Sequence, residues 1–211
     1  MEIHVLAEEV PYARLILRHL RDKNTGVSDF RRWMEKAGIL LGVFISRSLS
    51  WRRIEVETPL GSAVELDLET QPLVVSILGA GVYLANGIMK LYPEAPLGLV
   101  SAKRIEDGSE VRIEVYYSRL PTEWRGESIV VDPMLATGST ISRVIDVLKK
   151  RGSSKIIVGA VISSIQGISY LSSKHPDVEV YTLGLDKELD ARNFIVPGLG
   201  DAGDRSLGVV F

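Results

Sequence analysis

The segment that most restricts the fold lies between Ser128 and Gly152. Ser128, Ile129, Val130 and Val131 form a short, mainly apolar run, and a loop of small and hydroxylated residues follows from Asp132 to Thr140. Ile141, Val144, Ile145 and Leu148 then recur at i, i+3, i+4 and i+7 until Gly152 ends the helical pattern. A run without polar alternation requires a strand buried on both faces, and helices packed above and below a sheet provide that cover. A strand, a loop and a helix in this order are half of a β-α-β unit, so the chain is predicted to be α/β.

The same pattern recurs on either side. Leu73–Leu78 is a second apolar run; it stops at Gly79-Ala80-Gly81, and a helical segment over 82–92 follows until Pro93. The run 97–102 leads to Lys103 and Arg104 and then to a polar turn at Glu106-Asp107-Gly108. Beyond it Val111, Ile113, Val115 and Tyr117 alternate with Arg112, Glu114, Tyr116 and Ser118, which predicts a one-sided strand in a projecting β-arm at about 105–120. Two more runs, 155–163 and 178–185, flank a helical stretch around Ile168 to Leu171. The alternation predicts a doubly wound, mostly parallel sheet, with the loops after Leu78, Ala102, Val131 and Leu185 converging on one crevice.

The first fifty residues are predicted to be helical, chiefly over about 10–50, with Ser28 as an N-cap and Phe30, Trp33, Met34, Ala37, Leu41, Phe44 and Ile45 on one buried face. Arg31, Arg32, Glu35 and Lys36 fall largely on the solvent side. At 211 residues the chain can bury a core of its own and is read as one domain, 1–211. Its 25 basic and 27 acidic residues balance, so no global field favours nucleic acid or an anionic membrane. The absence of cysteine excludes disulfides, thiolate nucleophiles and zinc-thiolate sites. Glu8, Glu9 and Arg14 interrupt the N-terminus and no apolar stretch reaches bilayer length, so the expectation is a cytoplasmic protein without a membrane or nucleic-acid partner.

The loop 132–140 carries the strongest chemical signal. Ala136, Thr137, Gly138, Ser139 and Thr140 place small residues and three hydroxyls where the free N–H groups of a helix start suit a phosphate monoester. Gly138 permits a left-handed turn or a close backbone approach. No Gly-Lys-Ser/Thr closes the loop, so it is not a Walker loop. Asp132, just after the strand, is placed to bind ribose hydroxyls or to stabilise a cationic centre. The three histidines, His4, His19 and His175, show neither metal spacing nor a linked serine or carboxylate motif, and Trp33, Trp51 and Trp124 are read as packing residues.

The stretch Val-Val-Asp-Pro-Met-Leu-Ala-Thr-Gly-Ser-Thr at 130–140 closely resembles the signature with which uracil phosphoribosyltransferases, of the type I phosphoribosyltransferase family, bind phosphoribosyl pyrophosphate (PRPP). It has Asp-Pro where many relatives have two acidic residues. Phe-Ile-Val-Pro-Gly-Leu-Gly-Asp-Ala-Gly-Asp-Arg-Ser-Leu-Gly at 194–208 resembles the same family's uracil segment. Further similarity at Leu-Arg-Asp-Lys-Asn-Thr near residue 20, at 56–61 and in the arm extends it over nearly the whole chain.

The resemblance implies that Asp132, Pro133, Met134, Leu135, Ala136, Thr137, Gly138, Ser139 and Thr140 hold the ribose 5-phosphate and ribose hydroxyls, that Arg104 contacts pyrophosphate, and that Asp201 belongs to both substrate sites. Ile195, Gly200, Asp201 and Ala202 would form the uracil site, where glycines at 198, 200 and 203 let main chain approach a flat base edge. It also implies Asp132 as the catalytic residue, Mg²⁺ bound through the pyrophosphate of PRPP, UMP as product, and a homodimer or homotetramer. GTP or CTP effectors would act at a basic cluster containing Arg32 and Lys36.

Three positions depart from the family pattern. Gly79 stands where an arginine is usual, Ser139 where bacterial members carry glycine, and Phe194 where tyrosine is common. Losing a charge-assisted phosphate contact weakens binding by about 1.5–3 kcal/mol unless Lys103 or Arg104 substitutes. Gly79 therefore keeps open a second reading, a catalytically weakened sensor of nucleotides or PRPP. A purine or orotate transferase fits less well, because Val131-Asp132 lacks the paired acids.

Overall fold

The computed structural model describes the backbone of residues 1–107 and 110–209, and their side chains apart from those of 103–112. The chain opens with β1 (Glu2–Val5), the single turn α1 (Leu6–Glu9), and two helices, α2 (Pro11–Arg21) and α3 (Val27–Ile45). A hairpin of β2 (Trp51–Thr58) and β3 (Gly61–Leu68) follows. Next come β4 (Leu73–Ile77), α4 (Gly81–Met89) and β5 (Leu97–Asp107), on which β6 (Glu110–Arg119) folds back. The alternation continues through β7 (Glu127–Val131), the two-residue β8 (Met134–Leu135), α5 (Ser139–Lys150), β9 (Lys155–Ser164), α6 (Ile165–Lys174) and β10 (Glu179–Asp186). Two short strands, β11 (Glu188–Leu189) and β12 (Ile195–Val196), precede the last described helix, α7 (Ala202–Leu207).

The main sheet has the order β1-β10-β9-β7-β4-β5-β6, with β8 beside β9. Its pairs are parallel except for β5 with β6, so the predicted mostly parallel sheet is present. From β4 the chain passes through α4 to β5, and from β7 it passes through α5 to β9 on the other side. β4 and β7 are neighbours, so a topological switch point opens between their carboxyl ends. The apolar run of β7 serves both faces: Ile129 and Val131 join the cluster under α1–α4, and Val130 joins the cluster under α5 and α6.

The helical face predicted for α3 is the buried one. Phe30, Met34, Ala37, Leu41 and Ile45 expose nothing, and burying each large apolar side chain contributes about 1.5–3 kcal/mol. α3 meets α4 backbone to backbone, because a Cβ on Gly38 would lie 2.1 Å from the Leu84 carbonyl oxygen.

Three local expectations are corrected, and one element was not expected. Gly26, not Ser28, caps α3, since the Gly26 carbonyl already accepts from the Phe30 N–H at 2.9 Å. Glu2–Val5 is not helical; it is an edge strand recruited by parallel pairing with Glu179–Thr182, a tertiary contact that leaves no period in four residues. No loop follows Ala102, because β5 passes through an irregularity at Ser101/Ala102 and continues into the arm with β6. Gly108, in the predicted polar turn, lies outside the described residues. The β2–β3 hairpin was not anticipated: its residues are exposed or half-buried throughout, so it carries no core-facing pattern.

Candidate active site

Main-chain bonds lay the loop after β7 along β9. The Asp132 N–H donates to the Gly159 carbonyl at 3.2 Å, and the Pro133 carbonyl accepts from Val161 and Ile162 at 3.1 and 3.0 Å. Ser164 adds a tether, its hydroxyl donating to the Ala136 carbonyl at 2.5 Å and accepting from the Gly167 N–H at 2.9 Å. Gly138 adopts φ +78°, and a Cβ there would lie 2.8 Å from the Gly167 carbonyl, so both backbone sign and space demand glycine. No side chain caps α5. Its N-terminus therefore presents N–H groups and the positive end of the helix dipole to a cavity of about 70 Å³.

Asp132, Met134, Leu135, Ala136, Thr137, Gly138 and Thr140 of the predicted set line that cavity. Pro133 and Ser139 do not; Pro133 is turned to β9, and the Ser139 hydroxyl pairs with Thr137 Oγ1 at 2.8 Å. Burial pushes the Asp132 carboxyl up to about 7, only partly offset by the Met134 N–H at 3.4 Å. A carboxyl that is half protonated near neutrality becomes a full anion when a cation arrives, which suits a group facing a transient positive charge.

At the end of β4 the Leu78–Gly79 peptide is cis. Gly79 is exposed, and a Cβ there would first meet the flexible end of Leu207 at 3.2 Å, so a longer side chain has room. Arg104 lies on β5, but its side chain and that of Lys103 fall outside the described residues.

The glycine-rich C-terminal segment is fastened from three sides. Asp190 closes the β11–β12 hairpin by accepting from the Arg192 and Phe194 N–H groups at 2.9 and 2.8 Å. Ile195 and Ala202 are buried, and Asp201 caps α7 by accepting from the Asp204 N–H at 3.0 Å. Gly198 has φ +55°, with its carbonyl and N–H held by Arg21 and Asp186 at 2.8 Å each. Arg205 donates to the carbonyls of Leu20, Leu199 and Asp22 and covers the Phe30 ring. Among the described residues neither the N–H nor the C=O of Gly200 has a hydrogen-bond partner. Gly203 lacks the positive φ of Gly198 and Gly200.

Sequence reasoning missed Arg21, Asp186 and Arg205. Arg205 lay within the 194–208 stretch that carries the resemblance and Arg21 within the further similarity near residue 20, and Asp186 follows the last apolar run directly, at a strand's carboxyl end. Of the basic cluster on α3, Arg31 is already engaged with the carbonyls of Ser206 and Leu207. Arg32 is exposed and paired with Asp29, and Lys36 is exposed over the Trp33 ring at 3.9 Å. Two of the histidines have partners that the spacing did not show. His175 is linked to a serine, its Nε2 2.8 Å from Ser142 Oγ in a buried pair, and His4 stands with Glu2 and Glu179 at metal-ligand spacing. That trio sits at the amino end of the sheet, where Glu179 already pairs with Lys155 at 2.7 Å.

A parallel sheet with a phosphate-sized loop at its switch point defines a type I phosphoribosyltransferase fold. A hypoxanthine phosphoribosyltransferase from Staphylococcus aureus shares that fold at a TM-score of 0.50 and 13% identity, over 79% of this chain and 83% of its own. The family model described as uracil phosphoribosyltransferase matches residues 7–208. A uracil phosphoribosyltransferase from Aeropyrum pernix is 48% identical over 98% of this chain and 97% of its own length. The AQ2163 protein from Aquifex aeolicus is similar in structure, with a TM-score of 0.86 and 28% identity over 94% of this chain and 95% of that one. The chain belongs to the uracil phosphoribosyltransferase family, pentosyltransferases of pyrimidine salvage.

Proposed function

We propose that the chain joins uracil to PRPP to give UMP and pyrophosphate, with the loop 132–140 as the phosphoribosyl site and the segment 195–202 as the base site. The observation that carries this reading is the start of α5, which no side chain caps and which opens on a cavity lined by Thr137, Thr140 and Asp132. The α5 N–H groups and the hydroxyls of Thr137 and Thr140 hold the 5-phosphate, with Ser139 Oγ bracing Thr137 Oγ1. The N1 atom of uracil bonds to the anomeric carbon as the bond to pyrophosphate breaks, and the N1 proton is released. Positive charge grows on the ribose, and Asp132 meets it in its ionised form. Alignment of the two bound reactants supplies much of the rate.

The crevice offers oxygen donors, the Asp132 carboxylate and the nearby hydroxyls, which fit a hard divalent cation carried by a diphosphate. Mg²⁺ bound there supplies neutralisation of the leaving group's charge. Arg104 is assigned to the pyrophosphate, and Arg32 and Lys36 to a GTP or CTP effector. A homo-oligomer is supported by the β2–β3 hairpin. A two-stranded hairpin is marginal alone in water, yet this one leaves Val64 and Leu66 67% and 61% exposed. No described helix is long and apolar enough to cross a membrane, which agrees with a single-domain enzyme of the cytoplasm.

Gly79 is the observation that favours the weakened sensor. The deciding experiment measures UMP formation from uracil and PRPP with Mg²⁺, beside Asp132→Asn and Gly79→Arg. The enzyme reading expects uracil-specific turnover that falls about 10²–10³-fold in Asp132→Asn, and tighter PRPP binding in Gly79→Arg. Ligand binding by folded protein without turnover on any base establishes the sensor instead.

A further inference from the structure

A base site made of main-chain groups discriminates only while that main chain keeps its shape. Residues 197–201, between β12 and α7, belong to no strand or helix, so nothing in secondary structure fixes them. What fixes them is a closed ring of side-chain bonds. Arg21 grips Asp186 in a two-pronged pair at 2.8 and 2.7 Å; Asp186 Oδ2 accepts from the Gly198 N–H at 2.8 Å; and Arg21 Nη1 donates to the Gly198 carbonyl at 2.8 Å. The Asp186 side chain is 8% exposed and that of Arg21 28%, so the pair works largely out of water, where two-pronged charge-assisted bonds are strongest. Gly198 can have no side chain to help, because a Cβ there would lie 2.0 Å from the Ile195 carbonyl oxygen.

The ring consumes both polar groups of Gly198 and leaves those of Gly200 free among the described residues. One N–H and one C=O, presented two residues beyond a fixed point, match the acceptor and donor on the edge of uracil. We propose that Arg21 and Asp186 are positioning residues for the base, holding the 198–201 main chain in its uracil-competent shape without touching either substrate. This rests on assigning 195–202 to uracil. Without the ring only a fraction of molecules is competent at any moment, and the apparent affinity for the base falls by that fraction. Once uracil is bound the competent shape is restored, so turnover at saturation is preserved.

The test is steady-state kinetics of Asp186→Asn, Arg21→Met and Arg21→Lys, varying each substrate with the other saturating and recording a thermal melt of each protein. In Asp186→Asn and Arg21→Met the KM for uracil rises about tenfold, while kcat and the KM for PRPP stay within about twofold. Arg21→Lys, which keeps the charge but loses the fork, recovers part of that loss. A merely structural pair would lower the melting temperature and the active fraction and leave the uracil KM of the surviving molecules unchanged. Should Arg21→Met not fold, the other two variants decide. If the wild-type enzyme turns over uracil but the variants' uracil KM does not move, or moves together with the KM for PRPP, this inference fails alone. If the wild-type protein does not use uracil at all, the base-site assignment fails and takes this inference with it.

Discussion

The loop at 132–140 is held by its own neighbourhood, whereas the segment at 195–205 is held by side chains drawn from far along the chain. The loop leans on β9 through main-chain bonds to Gly159, Val161 and Ile162, and these form whenever a strand, loop and helix fold in sequence. The segment depends on Arg21, 177 residues from Gly198 in the chain, and on Arg205 reaching back to Leu20 and Asp22. A loop of the first kind tolerates changes elsewhere but not in its own geometry. One of the second kind tolerates local changes that preserve its path, and fails when a distant anchor goes.

The contrast breaks most sharply at Gly138. A methyl group there faces both φ +78° and the Gly167 carbonyl, so Gly138→Ala displaces the start of α5. The expected result is a fall of about a hundredfold in kcat/KM for PRPP with little change in the KM for uracil, read by kinetics with each substrate varied. A matching rise in both KM values would show that the two regions are mechanically one.

The pH dependence set by the Asp132 carboxyl gives the next test. If its ionised form is required, kcat/KM for PRPP rises with pH through about 7, and Asp132→Asn removes that limb along with most of the activity. The stability effect has the opposite sense. The unfolded carboxyl titrates near 3.8 and the folded one near 7, so the folded chain holds the proton longer and loses stability as pH rises across that window. Ligand-free Asp132→Asn is therefore more stable than wild type above pH 7, by roughly 1–2 kcal/mol after allowance for partial exposure, and no different below the unfolded value. Thermal melts at the two ends of the range check the sign.

The smallest effect is expected at Arg205. Arg205→Lys keeps the charge and the stem over Phe30 but cannot reach Leu20, Leu199 and Asp22 together. The uracil KM rises about threefold and the PRPP KM holds. An equal shift in both constants would mean that α7 supports the whole crevice and not the base side alone.

What could be read from residues alone follows the same division. The β7-loop-α5 unit, Gly138 and the α3 core face were legible because apolar period and loop chemistry lie within a few turns of chain. β1 escaped because a four-residue edge strand is made by its partner β10, and the β2–β3 hairpin because no face of it is buried. The Arg21–Asp186 ring escaped for a different reason. An arginine at the end of one helix and an aspartate at the end of one strand look ordinary until the sheet order brings α2 beside β10. Sequence shows which residues carry chemistry more readily than which residues keep them still.

The two hydrophobic clusters meet at the crevice. Ile195, Leu199 and Ala202 close against the α1–α4 side, while Leu135 and Ile141 close against the α5–α6 side. The sheet is thus a shared wall, because Met134 and Ala136 of the same loop pack against the α1–α4 side. The loop at 132–140 straddles that wall, so a change in the packing of either face is felt at its tip.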